Sequence, residues 1–187
     1  MSERVCPWWM GYFLVSPLRR AFQNPARILA PYVRDGMTVL EPGPGMGFFT
    51  LDLARLVGSS GRAVAVDLQS RMLDALRRRA AKAGLAERVT TRLAQAGGLG
   101  VGDLAGQADF VLAFAVVHEL PSVQTFFAEA AASLRPGGAL LLAEPAGHVS
   151  AAAFDEELRA AAAAGLTPQE RPSIRSSRAA LLVKASD

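Results

Sequence analysis

Glu41 stands two residues before a run in which every second position is glycine, Gly43, Gly45 and Gly47, in the stretch VLEPGPGMGFFT. Glycine lacks a Cβ, so Gly43 and Gly45 permit unusual backbone angles and let a small molecule approach the main chain closely. Asp67 ends the next apolar run, AVAVDL, which puts a second carboxylate at a neighbouring strand tip. There it is within reach of the vicinal hydroxyls of a ribose. The pair suggests an adenosine-type cofactor. A dinucleotide fingerprint would need its third glycine at position 48, which is Phe48, and no Walker lysine follows the loop. A carboxylate beside a pyrophosphate is repelled, whereas beside an ammonium group it is favoured. A cationic cofactor carrying adenosine and an amino acid therefore fits best.

The other chemistry-bearing residues lie later. His118 in VVHEL follows an apolar run and has an ordinary pKa suited to general-base work. A histidine that caps an element or shapes a pocket is the alternative, and Glu119 and Glu144 carry the same ambiguity. His148 is expected to be exposed. With two histidines and one cysteine, Cys6, and neither CxxC nor HExxH spacing, no metal site is expected. A lone cysteine also rules out an internal disulfide framework and fits a reducing cytoplasm.

These residues need a scaffold. The chain has 187 residues, enough for a single compact domain, and its apolar half is spread along its length. No apolar stretch reaches the ~18 to 20 residues of a membrane span. The start, MSERVCPWWMGYFLVSPLRR, lacks a small-residue cleavage site and is expected to belong to the fold. Contact with a membrane surface is the other reading of that segment. The formal charge of +3 comes from 18 Arg and 2 Lys against 17 acids. Arg77, Arg78 and Arg79 are expected on the solvated face of a helix, and nucleic-acid binding is not expected.

After residue 36, short apolar runs alternate with helical stretches. MTVLEP, RAVAVDL, RVTTRLA, ADFVLAFAVV and ALLLAEP read as strands, and RPSIR and RAALLVKA as two closing strands. FFTLDLARLVG, SRMLDALRRRAAKAG, SVQTFFAEAAASLRPGG and SAAAFDEELRAAAAAGL read as helices, with Gly58 and Gly84 as stops and Ser122 as an N-cap. Before them, Asn24 and Pro25 open a short helix. The alternation implies an α/β fold with a parallel sheet covered on both faces. Residues 1–36 are expected to form an amino-terminal helical and aromatic lid segment, and residues 37–187 the cofactor-binding domain.

VLEPGPGMGFFT, AVAVDLQSRML, ADFVLAFAVVHELP and LRPGGALLLAEP, taken in this order with the closing strands, resemble class I S-adenosylmethionine-dependent methyltransferases over residues 25 to 185. The resemblance implies a doubly wound, mostly parallel, seven-stranded sheet of order 3-2-1-4-5-7-6, its last strand antiparallel, with helices on both faces. It implies S-adenosylmethionine as the cofactor. By the same resemblance Glu41, Gly43 and Gly45 line the methionine part, Asp67 holds the ribose and Leu68 packs on adenine. Gln95 is the nearest group for the adenine edge, and Phe114 and Ala115 border the methionine side.

The acceptor can be narrowed by what the chain lacks. The NPPY-type tetrapeptide of many amino-group methylases is missing after the fourth strand. No carboxylate stands there to hold magnesium, and arsenic-type thiol chemistry wants several cysteines. A small organic acceptor remains, with an apolar one favoured by the aromatic content; Trp8, Trp9, Tyr12 and Glu144 are the candidate contacts. The CPWWMGYFLVSP segment reads equally as a lid over the cleft or as a clasp on the sheet edge. A non-catalytic protein that binds the same cofactor is the alternative to an enzyme.

Overall fold

The computed structural model describes Arg20, residues 22–95 and residues 97–186. Cys6, Trp8, Trp9 and Tyr12, and with them most of the expected lid, lie outside the described residues. Among the described residues the strands form a seven-stranded sheet of order β3-β2-β1-β4-β5-β7-β6, as expected. The chain divides into two compact units, which meet in sequence at Ala94 and Gln95.

The first unit opens with α1 (Pro25–Leu29), where the Asn24 side chain accepts from the backbone N–H of Arg27 at 3.3 Å and Pro25 takes the first helical position. Strands β1 (Thr38–Pro42), β2 (Arg62–Asp67) and β3 (Val89–Leu93) pair in parallel, with Pro42 opposite Val66 and Asp67 opposite Leu93. That register brings the carboxyl ends of β1 and β2 level, so Glu41 and Asp67 both stand at strand tips. Between the strands run α2 (Thr50–Leu56) and α3 (Ser70–Lys82). Leu51 and Ala54 of α2 pack with Ala65 of β2 and with Leu76 and Ala80 of α3. Met72, Leu73, Leu76 and Ala80 form the buried face of α3, as their spacing predicts.

The second unit contains β4 (Ala108–Phe114), α4 (Val123–Ser133), β5 (Leu134–Pro145), α5 (Ala151–Ala163), β6 (Leu166–Glu170) and β7 (Ser177–Lys184). Strand β4 runs parallel to β5, while β7 lies antiparallel between β5 and β6. Ser122 caps α4 and Ser150 caps α5, each accepting a backbone N–H at 3.1 Å.

Two boundaries differ from the sequence reading. The edge strand is LTPQE, not RPSIR: Gly165 (φ 84°) ends α5, and Leu166 enters the ladder at once opposite Lys184. Pro168 is tolerated because the strand is at the edge. Strand β5 begins at Leu134, ahead of the Pro-Gly-Gly turn, because Leu134 already pairs with Ala108 before the register shifts. Lys184 Nζ donates to the carbonyls of Ala131 and Leu134 at 2.8 and 2.7 Å, satisfying groups that the end of α4 leaves open. Among the described residues no helix is long and apolar enough to cross a membrane.

Candidate functional site: two strand-tip clusters

In the first unit, β1 delivers Glu41 to the start of the glycine loop, where its side chain is 4% exposed. Among the described residues its buried Oε2 meets no hydrogen-bond partner within bonding geometry, and neither does the buried hydroxyl of Thr50 at the start of α2. Burial pushes the Glu41 carboxyl up to about 8, the neighbouring Thr50 hydroxyl opposing the rise and the charge of Asp67 adding to it. A buried acid with an unused oxygen is costly unless something supplies a donor or a positive charge. The loop beside it is held at both ends. Gly43 N–H donates to Val66 O at 2.9 Å, and Phe48 and Phe49, edge to face at 5.1 Å, sink into the core.

Asp67 fastens the same loop from β2. Its Oδ2 accepts from the N–H of Gly45 at 3.3 Å, and its Oδ1 from the N–H of Gln69 at 2.8 Å. Leu68, the next residue, is 50% exposed, an uncommon position for a large apolar side chain and a ready face for a planar ring. Among the described residues, a Cβ placed on Gly45 would meet nothing within 4 Å, so they leave the loop open there. Glu41, Gly43, Gly45, Asp67 and Leu68 are thus brought together at the tips of β1 and β2. An unsatisfied carboxylate, bare backbone and an exposed apolar face suit the ammonium, the methionine chain and the adenosine of S-adenosylmethionine.

Arg79 departs from its expected place. Arg77 is exposed, pairing with Asp74 at 2.5 Å, but Arg79 is half-buried and donates to the carbonyl of Met46 in the glycine loop. Desolvation, then the charge of Arg20, lower its pKa. Asp52 on α2, 4% exposed, is held by both guanidinium nitrogens of Arg20 at 2.9 and 3.0 Å.

The second unit builds another cluster at the ends of β4 and β5. Ala115 follows β4 in the left-handed region (φ 54°), while its N–H still donates to Ala143 O at 2.7 Å. The turn aims the N–H groups of Val116 and Val117 at Oε1 of Glu144, at 3.2 and 2.8 Å. Glu144 is fully buried, and its Oε2 meets Nδ1 of His118, which sits on a one-turn helix at Val117–Glu119. The hydrogen bond to Glu144 raises the His118 pKa against the opposing effect of burial, and the charges of Glu144, Glu119 and Glu157 add to the rise. His148 is exposed, its ring centroid 6.0 Å from that of His118.

Glu157 on α5 escaped the sequence reading. It is 5% exposed, its Oε2 has no partner among the described residues, and burial, with the charge of Glu144 adding and that of His118 opposing, raises it to about 7. The signal was present: Glu157 interrupts the apolar stripe Phe154, Leu158 and Ala161 at helical spacing. Gln95 forms an isolated bridge with Gly98 and is exposed, and Phe114 is the half-buried last residue of β4.

Comparison with known proteins defines the class. The sequence profile of the family described as a methyltransferase domain matches residues 39–138, over half the chain. The arsenite methyltransferase of Halobacterium salinarum is 35% identical over 109 residues, covering 58% of this chain and 27% of that protein. The ribosomal protein L11 methyltransferase of Pelotomaculum thermopropionicum is 38% identical over 117 residues, covering 62% of this chain and 34% of that protein. The chain thus spans about a quarter to a third of the length of these curated relatives. In fold, it superposes on a SAM-dependent methyltransferase from Aquifex aeolicus with a TM-score of 0.83 at 22% identity, over 96% of this chain and 99% of that one. The chain belongs to the methyltransferase-domain family. Within it, the fold is that of the class I S-adenosylmethionine-dependent methyltransferases.

Proposed function

We propose that this chain transfers the methyl group of S-adenosylmethionine to a small organic acceptor in the cytoplasm. The observation that carries the cofactor half of this reading is the partnerless, buried Oε2 of Glu41 beside the open space at Gly45. When bound, the cofactor supplies an electrophilic methyl on a sulfonium, a good leaving group, so positioning does much of the work. Glu41 takes the ammonium group. Gly43 and Gly45 line the methionine chain with bare backbone. Asp67, already oriented by two N–H groups, takes the ribose hydroxyls, and Leu68 covers the adenine. Gln95, Phe114 and Ala115 keep the roles that the family resemblance gives them.

A small acceptor is favoured by the segment after β4. Where many amino-group methylases carry an NPPY-type tetrapeptide, this chain has AVVHEL, with an imidazole backed by a carboxylate. The two curated relatives bear names with unlike acceptors, arsenite and a ribosomal protein, and neither is carried over. The cytoplasmic assignment rests on the single cysteine. The reading is tested by incubating the protein with methyl-labelled S-adenosylmethionine and a fractionated cell extract. Label is expected in low-mass organic compounds. Label confined to protein or RNA would overturn the acceptor half, and failure of S-adenosylhomocysteine to raise the Tm would overturn the whole.

A further inference from the structure

The environment of His118 carries information about the acceptor. Both oxygens of the fully buried Glu144 are engaged, Oε1 by the N–H groups of Val116 and Val117 and Oε2 by Nδ1 of His118. With no oxygen to spare, Glu144 acts through the imidazole. A carboxylate only accepts, so Nδ1 carries the hydrogen and Nε2 is left with the lone pair. Among the described residues the nearest acid to Nε2 is Glu119 Oε1 at 3.9 Å, beyond hydrogen-bond range, and the imidazole is 21% exposed. The groups facing His118 are Glu144 from β5, Glu119 from its own turn, Glu157 from α5 and His148 from the segment before α5. Three are acids, and they strengthen the imidazole as a base. The left-handed Ala115 that aims the two N–H groups is itself a strained conformation of the kind retained at functional sites.

A methyl acceptor with a free lone pair and no proton to lose, such as arsenite, a thioether or a carboxylate, has no use for such a base. A thiol ionises near 8.5 and needs little help at neutral pH, whereas a phenolic hydroxyl ionises near 10 and stays neutral. We propose that His118, held at Nδ1 by Glu144 as its positioning residue, is the general base of the reaction, and that the acceptor is an uncharged organic molecule bearing a phenolic hydroxyl. The hydroxyl proton goes to Nε2 as the oxygen lone pair forms the bond to the methyl carbon. The electrons of the broken carbon–sulfur bond stay on sulfur, and the imidazolium then releases its proton to water. Product and by-product are an aryl methyl ether and S-adenosylhomocysteine. This inference rests on the methyl-transfer reading above.

The first test needs neither cofactor nor acceptor. Because the sequence holds two histidines, nitrogen NMR of the labelled full chain resolves His118 from His148, with His148→Gln as the assignment control. The hydrogen is expected on Nδ1 of His118, with a pKa raised above that of an ordinary histidine by the Glu144 hydrogen bond and lowered again in Glu144→Gln. Hydrogen on Nε2 in the wild-type protein, a measurement that needs no variant to fold, overturns the assignment. The second test offers small phenols, with matched thiophenols and anilines, together with S-adenosylmethionine. The phenols are expected to be methylated, with kcat falling tenfold per pH unit below the His118 pKa. His118→Ala should lose about 100-fold or more while keeping the Tm rise given by S-adenosylhomocysteine. Transfer to none of the phenols, or transfer indifferent to His118→Ala, overturns the acceptor class. If S-adenosylhomocysteine fails to bind the wild-type protein, the methyl-transfer reading falls by itself, and the NMR result stands apart from it.

Discussion

Asp67 and Gly45 are joined across 22 residues of chain, the N–H of the glycine donating to Oδ2 of the aspartate at 3.3 Å. The carboxylate proposed to take the ribose therefore also fastens the loop proposed to hold the methionine chain. Asp67→Ala removes the acceptor for the N–H groups of both Gly45 and Gln69. Losing a charged hydrogen-bond partner costs about 1.5–3 kcal/mol, so S-adenosylhomocysteine should bind roughly 10- to 100-fold more weakly, with a small fall in Tm. Asp67→Asn keeps one acceptor oxygen and should preserve Tm better than affinity. Calorimetric titration beside thermal melts checks both, and unchanged affinity in the alanine variant would remove Asp67 from the site.

Glu41 makes binding and stability respond to pH in opposite senses. Its carboxyl titrates at about 8 in the folded chain against an ordinary 4.5. Between those values the folded state holds a proton that the unfolded state has lost, so Glu41 lowers stability progressively as pH rises through that window. An ammonium on Oε2 reverses the preference and favours the ionised acid. Binding of S-adenosylhomocysteine at pH 7 should release close to one proton, and affinity should rise up to tenfold per pH unit towards pH 8. Titration in two buffers of different ionisation heat measures the release; none at pH 7 would take Glu41 away from the ammonium.

Much of this arrangement is legible in the sequence because burial and punctuation agree. The central strands β1, β2 and β4 read as continuous apolar runs, which strands covered on both faces must be, and Gly58 and Gly84 take the positive φ that ends each preceding helix. Strand β6 is hidden because an edge strand with one buried residue, Leu166, has no apolar period to read. The site divides in the same way. Glu41 and Asp67 are announced by their places at strand ends, whereas Arg79 looks like a solvated charge until its long stem is seen to reach the Met46 carbonyl. The dependence of His118 on Glu144 is invisible in sequence, since it is made by the turn at Ala115.

Asp52 lies buried on α2, the helix that follows the glycine loop. Arg20 grips it with two nitrogens at 2.9 and 3.0 Å, whereas Arg55 lies at 3.4 Å. Arg20→Ala leaves a buried carboxylate with the weaker partner alone and should cost about 1–3 kcal/mol. Arg55→Ala should cost under about 1 kcal/mol, as exposed ion pairs do. Urea denaturation with an unchanged m-value reads the difference, and equal losses would refute the assigned ranking.

Two glycines of the loop should fail in different ways. Gly45 (φ +53°) and Gly47 (φ +85°) both lie where an L side chain is strained, so alanine at either carries a backbone penalty of about 1–2 kcal/mol. At Gly47 the added methyl would also run into the Leu76 side chain in the core formed by α2, β2 and α3. At Gly45 it meets nothing within 4 Å among the described residues and projects into the space they leave open beside the loop. Gly47→Ala should therefore lower the Tm more, because overpacking adds about 1–3 kcal/mol. Gly45→Ala should fold with a modest loss of Tm yet bind S-adenosylhomocysteine far more weakly. Affinity retained in Gly45→Ala would mean that the open space beside the loop is not where the cofactor lies.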